Sequence, residues 1–280
     1  MSESAAPPPI EEQVQNRVDG GVSWIVLNRP EVRNAMTGDQ RERVISLLEE
    51  ASRDSRIRAV VFTATGEGFC TGADLRAGRS GAQPAKPEGA PERIMGDAAR
   101  TIRLGAQRLI AAILDCEKPV IAAVNGTAAG IGAHIAFACD LVIAADTARF
   151  IEVFVRRGIA PDGGGAYLLP RMIGPQKAKE LIFFGDDLSA ADAAGLGLVN
   201  KVVGRDDLEV TAGEWAARLA SGPTKAIGLA KWLINRSLES DRKTAFDEEA
   251  WAQELIVGTT DAGEGMKSFA ERRSPDFKGF

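Results

Sequence analysis

Two glycine-rich segments carry the backbone chemistry that this sequence suggests. Residues 66–75 read GEGFCTGADL, and residues 125–134 read NGTAAGIGAH. Each segment follows an apolar run rich in β-branched residues, at 59–63 and at 120–124, which is typical of a buried strand. A strand that ends in glycines before a helix leaves backbone N–H groups without partners. We call the segment at 66–75 the first glycine corner and the segment at 125–134 the second. If the two corners lie side by side, they would direct two N–H donors at one oxygen, as an oxyanion hole does for a carbonyl that becomes an enolate.

Two ionisable side chains next to glycines are candidates for proton transfer. His134 is the only histidine of the chain and lies in the helix predicted after the second segment. Asp162 precedes three glycines and a predicted helix, so it is either a base held beside a ligand or an ordinary helix cap. For His134 the ordinary interpretation is a packed polar residue near a helix start.

The glycines do not form a good nucleotide-binding motif. Gly130 and Gly132 follow a strand, but the third glycine of the dinucleotide fingerprint is missing, so that match is weak. A P-loop is excluded because no Gly-Lys-Ser or Gly-Lys-Thr sequence follows.

Composition and charge describe an acidic globular protein. The 280 residues carry a net charge of −5 and a pI near 5.2, which argue against a nucleic-acid surface or an anionic membrane surface. Cys70, Cys116 and Cys139 have no metal-ligand spacing, so we predict no metal site and small buried thiols in a reducing compartment. No signal peptide or membrane-length apolar run is found, which favours a cytoplasmic location.

Strands and helices alternate before the chain becomes purely helical. Predicted strands lie at 13–18, 22–27, 59–63, 120–124, 141–145 and 149–152. Predicted helices run from a cap at Thr37 or Asp39 to about 51, and over 92–115, 131–139, 166–172, 210–220, 224–237, 241–257 and 261–272. Residues 78–91 are predicted to form a mobile loop. Because helices separate the strands, we expect largely parallel pairing with right-handed crossovers.

The chain is divided by this pattern into three parts. We predict a disordered tail at 1–9, an α/β core at 10–205 and a C-terminal helical region at 206–280. The apolar faces of the C-terminal helices need a partner to cover them.

Several motifs in order resemble the crotonase superfamily, the enoyl-CoA hydratase and isomerase fold, over about 14–278. The motifs lie at 27–35, 69–75, 125–140, 158–171, 189–200 and 269–277. The resemblance implies an α/β fold in which ββα repeats form a spiral, with a C-terminal helical trimerisation region. It also implies an acyl-CoA thioester substrate, no cofactor apart from the CoA of that substrate, and a homotrimer or hexamer.

The resemblance also implies which residues form the site. The two oxyanion-hole donors would be the backbone N–H groups of Ala73 and Ile131. The residues that match CoA-binding positions are Arg33, Ala35, Asp74, Leu75, Phe269 and Arg272. In relatives, the positions of Phe269 and Arg272 reach the adenine bound by a neighbouring subunit.

The chain departs from the family at the two glutamates that hold a water molecule in hydratases. His134 stands at the first position and Phe154 at the second. Asp162 matches an acidic position used by other relatives, among them isomerases and a dehalogenase. Glu152 is a second, weaker carboxylate candidate because it shares a face with Phe154 on an extended segment.

Four functions remain open at this stage. Double-bond isomerisation is favoured because this reaction needs only one base. Asp162 would be that base, the amides of Ala73 and Ile131 would hold the enolate, and His134 would be an auxiliary polar group. Hydration by a His134–Asp162 pair is the main alternative. Nucleophilic attack by Asp162 and a non-catalytic acyl-CoA-binding subunit are the other two.

Overall fold

The computed structural model of the chain describes residues 8–76, 88–91 and 94–280. Its strands are β1 (Val14–Asp19), β2 (Val22–Leu27), β3 (Ala59–Ala64), β4 (Gly68–Cys70), β5 (Val120–Val124), β6 (Thr127–Ala129), β7 (Leu141–Ala145), β8 (Arg149–Ile151), β9 (Asp187–Ser189) and β10 (Lys201–Val203). Its helices are α1 (Ile10–Gln13), α2 (Gly38–Arg53), α3 (Asp97–Ile102), α4 (Arg108–Leu114), α5 (Ile131–Ala138), α6 (Gly165–Phe184), α7 (Ala190–Gly195), α8 (Leu208–Ala220), α9 (Thr224–Ser237), α10 (Arg242–Ile256) and α11 (Thr260–Glu271).

The larger sheet has the strand order β1-β2-β3-β5-β7-β10. Strands β1 and β2 form the predicted antiparallel hairpin, and the remaining neighbours pair in parallel. Every residue of β5 is buried, as are all but one of β3. Strands covered on both faces read as continuous apolar runs, which is why the sequence pattern revealed them. The prediction of largely parallel pairing is confirmed.

The smaller sheet has the order β4-β6-β8-β9, and it supports the glycine corners. Strands β4, β6 and β8 pair in parallel, whereas β8 and β9 are antiparallel. Strands β4 and β6 lie inside the two glycine-rich segments and were not predicted there. They have three residues each, which is too short for an alternating pattern to be visible.

Helices cover the sheets, and two of them explain local features of the sequence. Thr37, rather than Asp39, caps α2: its side chain accepts a hydrogen bond from the Gln40 N–H, and the Gln40 side chain accepts one from the Thr37 N–H. Helix α8 packs on the large sheet through small residues, among them Ala212 and Ala216, which have no exposed surface. The first helix of the C-terminal region therefore contributes to the core.

Two predicted helices differ from those in the structure. In the helix predicted at 92–115, residues 92 and 93 lie outside the described ranges, and the described helix begins at Asp97, after Gly96 with a left-handed φ of 88°. A π-helical turn at Arg103–Gln107 interrupts it before α4. The helix predicted at 166–172 extends over Gly165–Phe184, with a break at Gly174.

Two further predictions depend partly on residues outside the described ranges. These are the mobile loop at 78–91, of which only 88–91 are described, and the tail at 1–9, of which only Pro8 and Pro9 are described. Within the described ranges, no helix is both long and apolar enough to cross a membrane. The three cysteines are free and buried, as predicted.

Candidate active site

The two glycine corners lie side by side because the short strands before them pair in parallel. Gly68 is opposite Thr127 and Cys70 is opposite Ala128 in the β4–β6 pair. Parallel strands end at the same edge of a sheet, so the residues after Cys70 and after Ala129 leave that edge together. This pairing brings the first corner next to the second.

Glycine is required where the corners pack on each other. A Cβ atom at Gly132 would lie 1.9 Å from the Cys70 carbonyl oxygen, so no larger residue fits there. Gly72 has φ of 108° and Gly130 has φ of 56°, both in the region that glycine adopts without strain. A Cβ atom at Gly72 would lie 3.4 Å from the Ala129 carbonyl oxygen. These contacts hold the two turns at a fixed separation.

The amide groups of Ala73 and Ile131 are free within this corner pair. Met36 forms a parallel bridge with Ala73: its N–H donates to the Gly72 carbonyl, and its carbonyl accepts from the Asp74 N–H. The Ala73 N–H therefore points away from Met36. Ile131 is the first residue of α5, where an N–H has no partner within the helix. Neither amide donates a hydrogen bond to any of the described residues.

His134 is fully buried and forms a pair with Glu152. Its Nε2 atom lies 3.0 Å from Oε2 and 3.2 Å from Oε1 of the carboxylate. The His134 side chain is 0% exposed and that of Glu152 is 4% exposed. Glu152 directly follows β8, which pairs with β6, so the strand pairing places this carboxylate beside the first turns of α5. The Glu152 carboxylate is therefore hydrogen-bonded to the imidazole of His134.

The imidazole ring is held on its other sides by an aromatic ring and by two glycines. Phe154 stacks on it with ring centroids 5.3 Å apart and an angle of 15° between the planes. A Cβ atom at Gly165 would lie 2.2 Å from Nε2, and one at Gly163 would lie 2.9 Å from Nδ1. Nδ1 itself is buried without a hydrogen-bond partner in the described part of the chain. The glycine segment after Asp162 thus makes the space that the imidazole occupies.

Asp162 is partly buried and lies close to His134. Burial raises the pKa of the Asp162 carboxyl above its ordinary value, and the nearby His134 opposes this rise. Helix α6 is capped by Gly164 and no side chain caps it, so the interpretation of Asp162 as a helix cap is wrong. A carboxyl group with a raised pKa beside a histidine is a candidate for a general base.

The segment at 33–36 is hydrogen-bonded to the first corner and to the end of the strand before it. Arg33 and Asn34 both have left-handed backbones, with φ of 51° and 56°. The buried Asn34 amide group donates to the carbonyls of Thr65 and Gly68, at 2.9 and 2.7 Å. Together with the Met36 bridge, these bonds bring the exposed Arg33 and the partly buried Ala35 alongside the first corner.

Asp74 and Leu75 follow the first corner with opposite exposures. Leu75 is exposed, whereas the Asp74 carboxylate is buried and accepts from Arg29 Nη2 and from the Arg76 N–H, both at 3.1 Å. Burial alone would raise the pKa of Asp74, but these bonds together lower it. Asp74 therefore fixes the turn after the corner through its side chain.

Phe269 and Arg272 lie at the C-terminal end of α11. Phe269 is 84% exposed, and Arg272 is exposed with a left-handed φ of 53°. Neighbouring Arg273 forms ion pairs with Glu264 and Glu271, whereas no ion pair of Arg272 exists among the described residues. No hydrogen bond in that part of the chain joins these residues to the glycine corners, so they form a separate exposed surface.

The pairing of Glu152 with His134 is the main feature that the sequence analysis missed. Glu152 was considered a second base rather than a partner of the imidazole. The only sequence signal for this pairing is the position of Glu152. It directly follows a short strand and lies two residues before Phe154, on the face that meets α5. Among the described residues, no group of three or more His, Cys, Asp or Glu side chains is arranged to hold a metal ion.

Comparisons with known proteins identify the family of the chain. The family model described as Enoyl-CoA hydratase/isomerase matches residues 17–279. The chain is 37% identical to the 1,2-epoxyphenylacetyl-CoA isomerase of Escherichia coli (strain K12), with 96% of this chain and 99% of that protein covered. It is also 37% identical to the short-chain-enoyl-CoA hydratase of Clostridium acetobutylicum, with 91% and 93% covered.

The fold agrees as well. A crystal structure of the enoyl-CoA hydratase from Bacillus anthracis superimposes with a TM-score of 0.85 at 32% identity, and the match covers 96% of this chain and all of that one. The predicted crotonase-like α/β fold is therefore confirmed. The chain belongs to the enoyl-CoA hydratase/isomerase family, the crotonase superfamily, and is an enzyme of that kind.

Proposed function

We propose that the enzyme moves a double bond in an enoyl-CoA thioester, from the position between the third and fourth carbons into conjugation with the carbonyl. The observation that carries this proposal is that one carboxylate is available where a standard hydratase uses two. Glu152 is bound to His134, Phe154 occupies the other glutamate position, and Asp162 has no ion-pair partner among the described residues. The two curated relatives are named for isomerisation and for hydration, so their names do not decide between the reactions.

A single base is sufficient for isomerisation. Asp162 removes a proton from the carbon next to the thioester carbonyl, and the electrons move onto the carbonyl oxygen to give a dienolate. The same carboxyl then returns the proton two carbons along the chain, so that no atom is gained or lost. The raised pKa of Asp162 suits this role because it makes the ionised carboxylate a stronger base near neutral pH.

The dienolate oxygen would be held by the N–H groups of Ala73 and Ile131. Their lack of acceptors and the fixed packing of the two corners support this assignment. Preorganised donors of this kind typically lower the barrier by about 3 kcal/mol for each donor. The 33–36 segment with Asp74 and Leu75 would border the CoA moiety, and no separate cofactor or metal is needed for this chemistry.

Hydration of a 2-enoyl-CoA is the second candidate, and a specific observation favours it. His134 Nδ1 has no partner in the described part of the chain and faces Gly163, the residue after Asp162. A water molecule held between Nδ1 and the Asp162 carboxylate could be activated and added to the double bond. This mechanism would need both groups to act on the same water.

The two reactions are separated by following the absorbance of the conjugated thioester. With a 3-enoyl-CoA as substrate, the proposed isomerase produces conjugation and the absorbance rises. With a 2-enoyl-CoA, a hydratase removes conjugation and the absorbance falls. Loss of conjugation from the 2-enoyl ester at a faster rate than its gain from the 3-enoyl ester would favour hydration. A mass increase on Asp162 under rapid quench would instead indicate nucleophilic attack.

We also propose that the chain acts as a homotrimer or hexamer in the cytoplasm. Support comes from large apolar side chains on the C-terminal helices: Trp232 is 47% exposed and Trp251 is 71% exposed. Both line a cavity of about 1110 Å³ between the end of α4 and helices α9 and α10, which lies apart from the glycine corners. Phe269 and Arg272 would then meet the adenine bound by a neighbouring subunit. Light scattering behind a sizing column measures the assembly directly.

A further inference from the structure

The buried pair formed by His134 and Glu152 has one feature that packing alone does not explain. Both side chains lie almost completely out of water, yet Nδ1 of the imidazole has no hydrogen-bond partner in the described part of the chain. Buried polar atoms are nearly always paired, and burying an ionisable pair is costly compared with burying apolar residues of similar shape. Apolar side chains at both 134 and 152 would fill the same space without leaving an unpaired atom.

The chemistry of the pair determines which nitrogen carries the proton. An ionised carboxylate only accepts hydrogen bonds, so if Glu152 is ionised the contact at 3.0 Å has the proton on Nε2 of His134. In the neutral imidazole, Nδ1 then carries the lone pair and acts as an acceptor. Nδ1 lies against Gly163, on the segment that carries Asp162.

We propose that Glu152 is a positioning residue that acts through His134. It accepts the Nε2–H of the imidazole and thereby presents the Nδ1 lone pair to the glycine segment beside Asp162. During isomerisation Asp162 is protonated between the two proton transfers, and a fixed acceptor beside it holds the carboxyl proton in one direction. This consequence rests on the proposed role of Asp162, whereas the tautomer of His134 is a property of the resting enzyme.

The tautomer can be measured without interference because His134 is the only histidine of the chain. The enzyme is purified through a tag that contains no histidine, and the imidazole nitrogens are labelled with ¹⁵N. Nitrogen NMR then reports which ring nitrogen carries a proton. We expect Nε2 to be protonated at every pH where the enzyme is active. A neutral imidazole with its proton on Nδ1 would overturn the proposal, whatever the activity of any variant.

The variant that tests the role of the carboxylate is Glu152→Gln. A carboxamide has nearly the same shape but can donate as well as accept, so it no longer selects one tautomer. We expect the Nδ1-protonated form to appear, and kcat to fall by about 10- to 100-fold, by analogy with the loss of the hydrogen-bond partner of a metal-ligating histidine. KM should stay within about twofold because the thioester-binding amides are unchanged. Native kcat together with a native tautomer would overturn the proposal.

A matched control separates positioning from loss of stability. Asp140 also forms an ion pair, with Lys231 at 2.9 Å, beyond the C-terminal end of α5. Asp140→Asn should lower the unfolding midpoint and leave kcat unchanged. An equal loss of kcat in both variants would mean that Glu152 is only structural. The proposed function is tested separately: if Asp162→Asn is fully active, that function fails, while the NMR result for His134 still stands on its own.

Discussion

The imidazole of His134 and the carboxylate of Glu152 form a buried pair, with Nε2 and Oε2 3.0 Å apart. By the resemblance to the family, His134 matches the first of the two positions at which hydratases carry a glutamate. Phe154, which matches the second of these positions by the same resemblance, stacks on the imidazole. Asp162, on the adjoining glycine segment, is the carboxylate that we propose as the base.

Replacement of Asp162 by asparagine tests its role as the base. The carboxamide keeps the shape of the side chain but does not take up a proton, so kcat should fall at least about 100-fold. Binding of an unreactive acyl-CoA thioester, measured by calorimetry, should persist. The control is Asp186→Asn, which changes an exposed aspartate and should remain fully active. Equal activity of the two variants would remove Asp162 from the mechanism.

The pH dependence of kcat/KM reports on the same carboxyl group. Because burial raises the pKa of Asp162, its protonated form persists to higher pH than for an ordinary aspartate. Only the ionised form is a base, so kcat/KM should rise with pH and level off above this raised pKa. A profile that is already level at the ordinary aspartate pKa would argue against the assignment.

Stability should change in the opposite direction with pH. A carboxyl with a raised pKa in the folded state binds its proton more tightly there than in the unfolded chain. Its stabilising contribution is therefore present at low pH and is lost as pH rises through the folded pKa. Asp162→Asn avoids the cost of a buried charge, so its melting temperature should exceed that of the native enzyme at neutral pH and match it at acidic pH. Equal melting temperatures at both pH values would contradict the burial of a charge here.

Much of the fold could be predicted from the sequence because it depends on local pattern. Strands β3 and β5 are continuous apolar runs, and Thr37 stands three residues before the glutamine that completes its capping box. The glycine corners were also recognisable from their position after these strands. Strands β4 and β6 escaped prediction because three residues give no periodicity.

The contacts inside the site could not be predicted in the same way. Glu152 meets His134 across 18 positions of sequence, and only because β8 pairs with β6. The role of Gly163 and Gly165 is equally non-local, since their missing side chains make room for an imidazole from another helix. Such contacts follow from tertiary packing rather than from local propensity.

The glycine at 165 is predicted to be essential for the position of His134. In Gly165→Ala the added Cβ atom would lie 2.2 Å from Nε2, so the imidazole must move away from Glu152. We expect a loss of about 1–3 kcal/mol in unfolding free energy, as for other overpacked cores, together with a fall in kcat. Denaturant unfolding and steady-state kinetics measure the two effects.

Gly263→Ala is the matched control for that substitution. Gly263 lies in α11 and its added Cβ atom would meet no atom within 4 Å. Alanine is favoured over glycine in a helix, so this variant should gain about 0.5–1 kcal/mol and keep native kcat. A Gly165→Ala enzyme that behaves like this control would show that the imidazole is not confined as the structure indicates.

The ion pair between Lys231 and Asp140 is predicted to attach α9 to the core. Lys231 Nζ lies 2.9 Å from Asp140 Oδ2 and donates to the Ile113 carbonyl at 2.9 Å. Lys231→Met removes the cation that faces the Asp140 carboxylate, and a buried charge without its counter-ion should cost about 3 kcal/mol in urea unfolding. The exposed pair of Lys243 and Asp247 serves as the comparison, and Lys243→Met should have no measurable effect. Equal effects of the two substitutions would contradict a role for the buried pair.

The central claim is that Asp162 moves a proton along the acyl chain and adds no water. The direct test is mass analysis of the thioester formed from a 3-enoyl-CoA in water labelled with ¹⁸O. The account predicts a conjugated product with the mass of the substrate and no ¹⁸O, formed by the native enzyme and not by Asp162→Asn. No conjugated product from the 3-enoyl-CoA, together with a product heavier by one labelled water from a 2-enoyl-CoA, would contradict it.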